Sequence, residues 1–170
     1  MTWTEHRKTR TRHDHEGHAR FLTFSTLNRQ PFFNDPNLCN EFADQLMRTH
    51  DRHSFKLHAW VIMPEHVHLL IFPIGEASVS KMLIGLKRPV ATRALRHWRD
   101  TGANVPERFW QQGGGYDRNV FTRDEFNEKI DYIHQNPVKR GLVKNPGDWV
   151  WSSYRAWKKL DSSWPTLDRG

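Results

Sequence analysis

Three short stretches of the chain either alternate hydrophobic and polar residues or are rich in β-branched and aromatic residues. They predict strands at 21–27, 56–63 and 64–73. Pro64 and Glu65, at the start of the third stretch, are left to form a turn, which predicts an antiparallel hairpin. Because alternate side chains lie on opposite faces of a strand, four residues of the second strand are predicted to share one face: Leu57, Ala59, Val61 and Met63.

A helical period of apolar residues appears in three longer segments, each of which begins at a residue type that caps helices. The first helix is predicted to begin after Asp35 and to reach about residue 50. The second begins after Ser78 or Ser80, and the third begins at Thr122 with a capping box. Pro89 is predicted to kink or split the second helix.

Two short extended segments are predicted between the second and third helices, at 108–111 and 117–121. The glycine loop 113–115 joins them. No Gly-Lys-Ser/Thr follows these glycines, so the sequence does not predict a nucleotide-binding P-loop. The glycines instead indicate a bulge or loop in which two backbones approach closely.

Two histidines, one residue apart, lie within the third strand. His66 and His68 should therefore point to the same face, together with Leu70 and Phe72. Two imidazoles side by side on a rigid strand provide two ligands for a divalent metal. The alternative is a pair of polar residues on a half-exposed sheet face, and the histidines alone do not decide between the two.

Charge and composition restrict the partners. The 170 residues carry a formal net charge of +7, and the sequence pI is about 9.9, which favours nucleic acid over a membrane as partner. No apolar stretch approaches the ~20 residues that a membrane span requires. Cys39 is the only cysteine, which excludes an intrachain disulfide and a cysteine-rich zinc site. The first eight residues contain no apolar run typical of a secretory signal, so a cytoplasmic location is predicted.

The second helix has a strongly basic outer surface, with no acidic residue between positions 81 and 99. This pattern favours a surface that follows DNA phosphates over a merely solvated helix face. The residues assigned to DNA contact on this helix are Lys81, Lys87, Arg88, Arg93 and Arg96.

The two ends of the chain differ from its middle. Residues 1–19 are basic and histidine-rich and predict a mobile arm, either in contact with phosphates or simply solvated. Residues 20–145 form the predicted domain. Residues 146–170 are predicted to pack on it as a cover, with base stacking as the alternative role of their rings: Trp149, Trp151, Tyr154, Trp157 and Trp164.

The third helix supplies partners for the histidines. Its buried stripe is predicted to be Phe126, Ile130 and Ile133. Tyr132 and Asn136 fall together on another face, four residues apart, with Lys129 on the same side. The Asn136 amide oxygen would complete a metal site with the two histidines, and a phosphate gripped by that metal would be open to attack by the Tyr132 phenol. A surface tyrosine without a role is the alternative.

Four motifs occur in a fixed order: MPEHVHLL at 63–70, FWQ at 109–111, YIHQNPVKRGLV at 132–143 and WSSY at 151–154. Together they resemble the REP-associated tyrosine transposases, which belong to the single-tyrosine HUH (His-hydrophobic-His) transposases. The resemblance runs from about residue 20 to residue 157. It implies an α+β fold of the ferredoxin-like (RRM-like) kind, with helices packed on an antiparallel sheet.

The resemblance also implies an activity. These transposases cleave and rejoin single-stranded DNA at hairpin-forming, REP-like repeats through a 5′-phosphotyrosine, with Mg²⁺ or Mn²⁺ as cofactor. By the resemblance, His66 and His68 match the metal-binding pair, Tyr132 the nucleophile and Asn136 the third ligand. A monomer or homodimer that acts on the bacterial nucleoid is the expected form. Lys129 is assigned to DNA contact.

Two features depart from the family pattern. Glu65 stands where the family commonly has asparagine, which places an acid next to the metal site. Tyr116, after the glycine loop, is a rival nucleophile, and Tyr132 is preferred because only it has an asparagine four residues later. Two other functions remain open: a module that binds DNA or RNA hairpins without cleaving them, and a small metal-dependent hydrolase.

Overall fold

The computed structural model describes residues 17–113, 115–161 and 164–168. Most of the predicted N-terminal arm therefore lies outside the described residues. The helices and strands are, in chain order, β1 Ala19–Ser25, α1 Pro36–Arg52, β2 Phe55–Met63, β3 His66–Pro73, α2 Val79–Asp100, β4 Tyr116–Val120, α3 Arg123–Lys139 and the short α4 Tyr154–Trp157. Single 3-10 turns lie at Leu27–Arg29, Phe32–Asn34 and Pro146–Asp148. No helix within the described ranges is long and apolar enough to cross a membrane.

The four strands form one antiparallel sheet in the order β2-β3-β1-β4. With the helices α1 and α2 inserted after β1 and β3, this is the βαββαβ arrangement of ferredoxin-like folds. The predicted α+β class is confirmed. The sheet separates two hydrophobic cores, one beneath α1 and α2 and the other beneath α3.

The helix starts follow the predicted caps. The side chains of Asp35, Ser78 and Thr122 accept hydrogen bonds from backbone N–H groups in the first turns of α1, α2 and α3. Pro89 does not split helix α2, which continues to Asp100 with Leu86 and Val90, on either side of the proline, buried in the core.

The predicted face of β2 is wrong at one residue. Ala59, Val61 and Met63 do share the core beneath α3, but Leu57 lies in the opposite core with Trp60. A register shift between Leu57 and Ala59 causes this, since a β-bulge inserts one extra residue and reverses the alternation beyond it.

The predicted strand at 108–111 is also wrong. Within the part of the chain that the structure describes, its ladder contact is limited to an isolated bridge between Trp110 and Thr26. Strand β1 ends at Ser25 and the chain then enters a 3-10 turn, so β1 does not continue alongside this segment. The close backbone approach predicted for the glycine loop is present: Gly115 has φ +69°, and a Cβ there would overlap the Thr23 carbonyl oxygen.

The tail covers the outer edge of β2. The Ile62 N–H donates to the Trp151 carbonyl at 2.9 Å, and the Ser153 N–H donates to the Trp60 carbonyl at 3.0 Å. The Ser153 hydroxyl also lies 2.8 Å from His134 Nε2 on α3, so the tail joins β2 to that helix. The boundary at residues 145–146 stays a prediction.

His134 makes the stability of this junction depend on pH. Its burial, and secondly the Lys158 charge, lower the pKa of His134 to about 4. In the unfolded chain a histidine takes up a proton near pH 6.5. The free energy of unfolding therefore decreases as the pH falls from about 6.5 to 4. When the pH is lowered from 7.5 to 5, His134 should reduce the free energy of unfolding by about 2 kcal/mol.

We expect His134→Gln to remove about that part of the acid destabilisation, measured by urea unfolding at both pH values. The matched control is His97→Gln, at an exposed histidine of α2, which should leave the pH dependence as in the unchanged protein. An equal loss of stability between the two pH values in His134→Gln and the unchanged protein would contradict the assignment.

Candidate active site

The histidine pair lies on β3 with both imidazoles on the α3 side of the sheet. His66 and His68 are each only 4% exposed, so the alternative of a half-exposed polar pair is wrong. Their Nε2 atoms are 3.0 Å apart. Two nitrogen ligands at ~2.1 Å from one metal and at right angles to each other are also ~3.0 Å apart. The spacing therefore fits two ligands of a single metal ion.

The other nitrogen of each ring is engaged by a neighbour. Glu65 Oε1 lies 2.9 Å from His66 Nδ1, and Thr23 Oγ1 lies 2.6 Å from His68 Nδ1. Thr23 is on β1, directly opposite His68 in the sheet register. A carboxylate can only accept, so His66 Nδ1 carries the proton and His66 Nε2 presents a lone pair.

Burial also sets the charge of these rings. It lowers the pKa of His68 to about 3, with smaller contributions from the His66 and Arg29 charges. Burial lowers the pKa of His66 as well, although the Glu65 carboxylate opposes the shift. Both imidazoles are therefore neutral near pH 7, which is the form that binds metals.

Asn136 reaches the histidines from α3. Its side-chain amide nitrogen is 3.1 Å from His68 Nε2, and the residue is 7% exposed. A half-turn of the amide would present its oxygen at the same place. Among the described residues, no three His, Cys, Asp or Glu side chains cluster as a metal site. The structure brings the two imidazoles and the Asn136 amide together, and their role as metal ligands stays a prediction.

Tyr132 lies beside this group. Its ring is 5.3 Å from the His68 ring and 39% of the residue is exposed, whereas Ile130 and Ile133 of the same helix are buried. The off-stripe position predicted for Tyr132 is correct. Tyr132, both histidines and Asn136 line one cavity of about 490 Å³, hereafter the cavity.

The rival tyrosine lines the same cavity. Tyr116, on β4, packs edge-on against Phe21, as Tyr132 also does. Its hydroxyl hydrogen-bonds Arg118. The two tyrosines therefore differ in their neighbours: Tyr132 contacts a histidine ring, and Tyr116 contacts an arginine.

The predicted DNA-contact residues are divided by the sheet. Lys129 lines the cavity, with its ammonium 5.6 Å from the centre of the Phe21 ring. The other five lie on α2, which packs against the opposite face of the sheet. Three of those five are exposed: Lys81, Arg88 and Arg96.

Two of the five α2 residues assigned to DNA contact have partners within the protein. The Lys87 ammonium lies over the Phe24 and Trp110 rings, at 5.3 and 5.5 Å from their centres. Arg93 forms an ion pair with Glu41 of α1. The structure does not bring the basic surface of α2 into contact with the histidines.

The sequence reasoning missed two arginines of the cavity, Arg29 and Arg140. Both donate to the Glu65 carboxylate. Burial raises the pKa of Glu65, but its contacts with Arg140 and His66 outweigh that and leave the pKa below its usual value. Arg140 stands within the 132–143 motif and could have been noticed there. Arg29 lies in a turn with no sequence signal.

The chain resembles known proteins in sequence. The family model described as "Transposase IS200 like" matches residues 16–136 of the 170. A REP-associated tyrosine transposase of Escherichia coli (strain K12) is 29% identical over 103 residues, which cover 59% of this chain and 54% of that protein. A putative REP-associated tyrosine transposase of Haemophilus influenzae is 28% identical over 121 residues, 68% of each protein. The chain thus spans about half the length of the E. coli relative.

Two solved structures share the fold. A REP-associated tyrosine transposase bound to a REP hairpin has a TM-score of 0.69 and 20% sequence identity, over 94% of this chain and 96% of that one. A putative transposase from Deinococcus radiodurans has a TM-score of 0.50 and 18% identity, over 74% and 95% of the two chains. Because the family model covers well over half of its length, the chain belongs to the IS200-like transposase family.

Proposed function

We propose that the protein cleaves single-stranded DNA at hairpin-forming, REP-like repeats and transfers the strand through a covalent 5′-phosphotyrosine. The observation that carries the proposal is the meeting of α3 and β3. It brings the Tyr132 ring to 5.3 Å from His68 and the Asn136 amide to 3.1 Å from the same imidazole. A tyrosine, two neutral imidazoles and an amide in one cavity match the needs of phosphoryl transfer to a phenol.

His66, His68 and Asn136 are the residues that would hold Mg²⁺ or Mn²⁺. When bound, the metal supplies Lewis-acid polarisation of the scissile phosphate. The protein's own contribution is orientation: Glu65 and Thr23 fix the two imidazoles through their Nδ1 atoms.

Tyr132 is the proposed nucleophile. Its phenolic oxygen forms a bond to phosphorus, the bond from phosphorus to the 3′ oxygen breaks, the phenol loses its proton and the 3′ oxygen gains one. The phosphoester is conserved in this exchange, so attack by a new 3′ hydroxyl reverses the step and joins a different strand without ATP. The Lys139 ammonium lies 5.3 Å from the centre of the Tyr132 ring.

The proposed DNA partner contains a paired stem and an unpaired segment. A relative of the same fold is described as bound to a REP hairpin. The basic surface of α2, with Lys81, Arg88 and Arg96 exposed, suits the phosphates of a stem, whereas the cavity with Lys129 suits the unpaired strand. A monomer or homodimer remains the proposed assembly.

The first test concerns the nucleophile. Tyr132→Phe removes only the hydroxyl, so cleavage of a hairpin-bearing single strand should fall by at least about 10³-fold and the protease-sensitive DNA adduct should disappear. Tyr116→Phe is the matched control and should retain the adduct. An adduct that persists in Tyr132→Phe and is lost in Tyr116→Phe would reverse the assignment.

A second test separates chemistry from binding. His66→Ala or His68→Ala, or removal of metal with EDTA, should abolish cleavage, while hairpin affinity in a gel-shift assay stays within about threefold, since phosphate contacts position the DNA. His97→Ala, on α2, is the control for loss of an imidazole elsewhere. If the unchanged protein binds the hairpin but never cleaves it with either metal, the non-catalytic binding module is the correct function.

The third test concerns the α2 surface. Combined replacement of Lys81, Arg88 and Arg96 by Gln should weaken hairpin binding and make the slope of log Kd against log salt less steep, by up to about three. The control removes equal charge elsewhere, at the exposed Lys144, Lys158 and Lys159. An equal effect of the two triple variants would mean that net charge, rather than this surface, determines binding.

A further inference from the structure

Two arginines from distant parts of the chain meet at one carboxylate oxygen beside the histidine pair. Arg29 Nη2 lies 2.8 Å from Glu65 Oε1, and Arg140 Nη1 lies 2.5 Å from the same atom. Arg29 belongs to the turn after β1, and Arg140 caps the C-terminal end of α3. The shared acceptor sets the two guanidinium groups next to each other.

The cluster has more positive than negative charge. Glu65 is buried, with only 6% of its side chain exposed, and supplies one negative charge against two guanidinium groups. The arginine side chains are 56% and 46% exposed and line the cavity. Each guanidinium has five N–H donors, and the contacts with Glu65 occupy few of them. Donors therefore remain on the cavity side of each group.

The backbone that carries Arg29 is strained. Asn28 and Arg29 both have φ in the left-handed region, at 50° and 54°, where residues with a Cβ are disfavoured. The turn is held by the Thr26 hydroxyl, which donates to the Gln30 carbonyl at 2.6 Å, and by the Asn28 N–H, which donates to Gln111 Oε1 at 3.0 Å. Strain that is retained in this way is typical of positions that aim a side chain at a ligand.

The location of the pair limits what it can bind. Arg29 Nη2 is 3.4 Å from His66 Nδ1, so the guanidinium lies against the metal-binding ring, on the side away from the metal-facing Nε2. A ligand of the arginines is thus adjacent to the metal position and separate from it. The N–H groups of a guanidinium match the two non-bridging oxygens of a phosphodiester. Two guanidinium groups side by side can therefore donate hydrogen bonds to both oxygens.

We propose that Arg29 and Arg140 form a phosphate subsite that binds a backbone phosphodiester of the single strand next to the scissile one, with Glu65 as the residue that positions both arginines. The proposal rests on the proposed function in that it takes single-stranded DNA as the ligand. It adds a second point of attachment in the cavity, which would fix the direction in which the strand passes the Tyr132 hydroxyl.

The test uses binding without cleavage. Fluorescein-labelled dT8 and its fully methylphosphonate counterpart, which has an uncharged backbone, are titrated with the full-length protein in EDTA. Arg29→Gln and Arg140→Gln should each weaken dT8 binding about five- to tenfold and lower the slope of log Kd against log salt by up to about 0.7, the value for complete loss of one single-strand phosphate contact. Binding of the methylphosphonate strand should be unchanged in both variants.

Arg108→Gln is the matched control. Arg108 is also a partly exposed arginine paired with a glutamate, Glu107, but it does not line the cavity. It should leave both strands bound as by the unchanged protein. A circular dichroism melt checks that each variant is folded. Two single variants are made so that the test can be completed if only one of them folds.

Three outcomes would overturn the subsite: both cavity variants behave like Arg108→Gln, both strands lose affinity equally, or the unchanged protein shows no preference for the charged strand. None of these bears on the adduct of Tyr132 with hairpin DNA. Failure of the subsite is therefore distinguishable from failure of the proposed function, which would appear as a missing adduct.

Discussion

The approach of the His66 and His68 Nε2 atoms to 3.0 Å is the constraint on which the rest of the site depends. Two buried imidazoles hold this arrangement only when their outer nitrogens are fixed. Glu65 fixes one from the hairpin turn, and Thr23 fixes the other from the neighbouring strand. The register of β1 against β3 is therefore part of the site, because a slip of one residue would move Thr23 to the opposite face.

The sheet also explains why helix α3 can approach the histidines so closely. Ile130 and Ile133 of α3 pack with Ala59 and Val61 in a small core of their own. This core fixes the rotation of α3 and so directs Asn136 at His68. The bulge in β2 has a role here, since without it Leu57 would lie on the same face as Ala59 and Val61 instead of filling the other core.

Much of this arrangement could be predicted from the sequence because it depends on local periodicity. The alternation in 64–73 placed both histidines on one face, and the helical period after Thr122 separated Tyr132 and Asn136 from the buried isoleucines.

Features set by contacts between distant residues could not be predicted in this way. The bulge at Leu57 cannot be recognised in the hydrophobic pattern. The approach of Arg29 to Arg140 depends on a turn that the sequence does not predict. The basic pattern of α2 was visible, but which face of the sheet that helix covers was not.

The two surfaces proposed to contact DNA lie on opposite faces of the sheet. The basic surface of α2 lies on one side of the sheet and the cavity on the other, so the strand layer and the body of a helix about 10 Å across separate them. On the proposed function, a strand whose stem rests on α2 has to turn around the rim of the sheet before it reaches Tyr132. The length of the path around the sheet would then set the number of unpaired nucleotides between the stem and the cleavage point, independently of their bases.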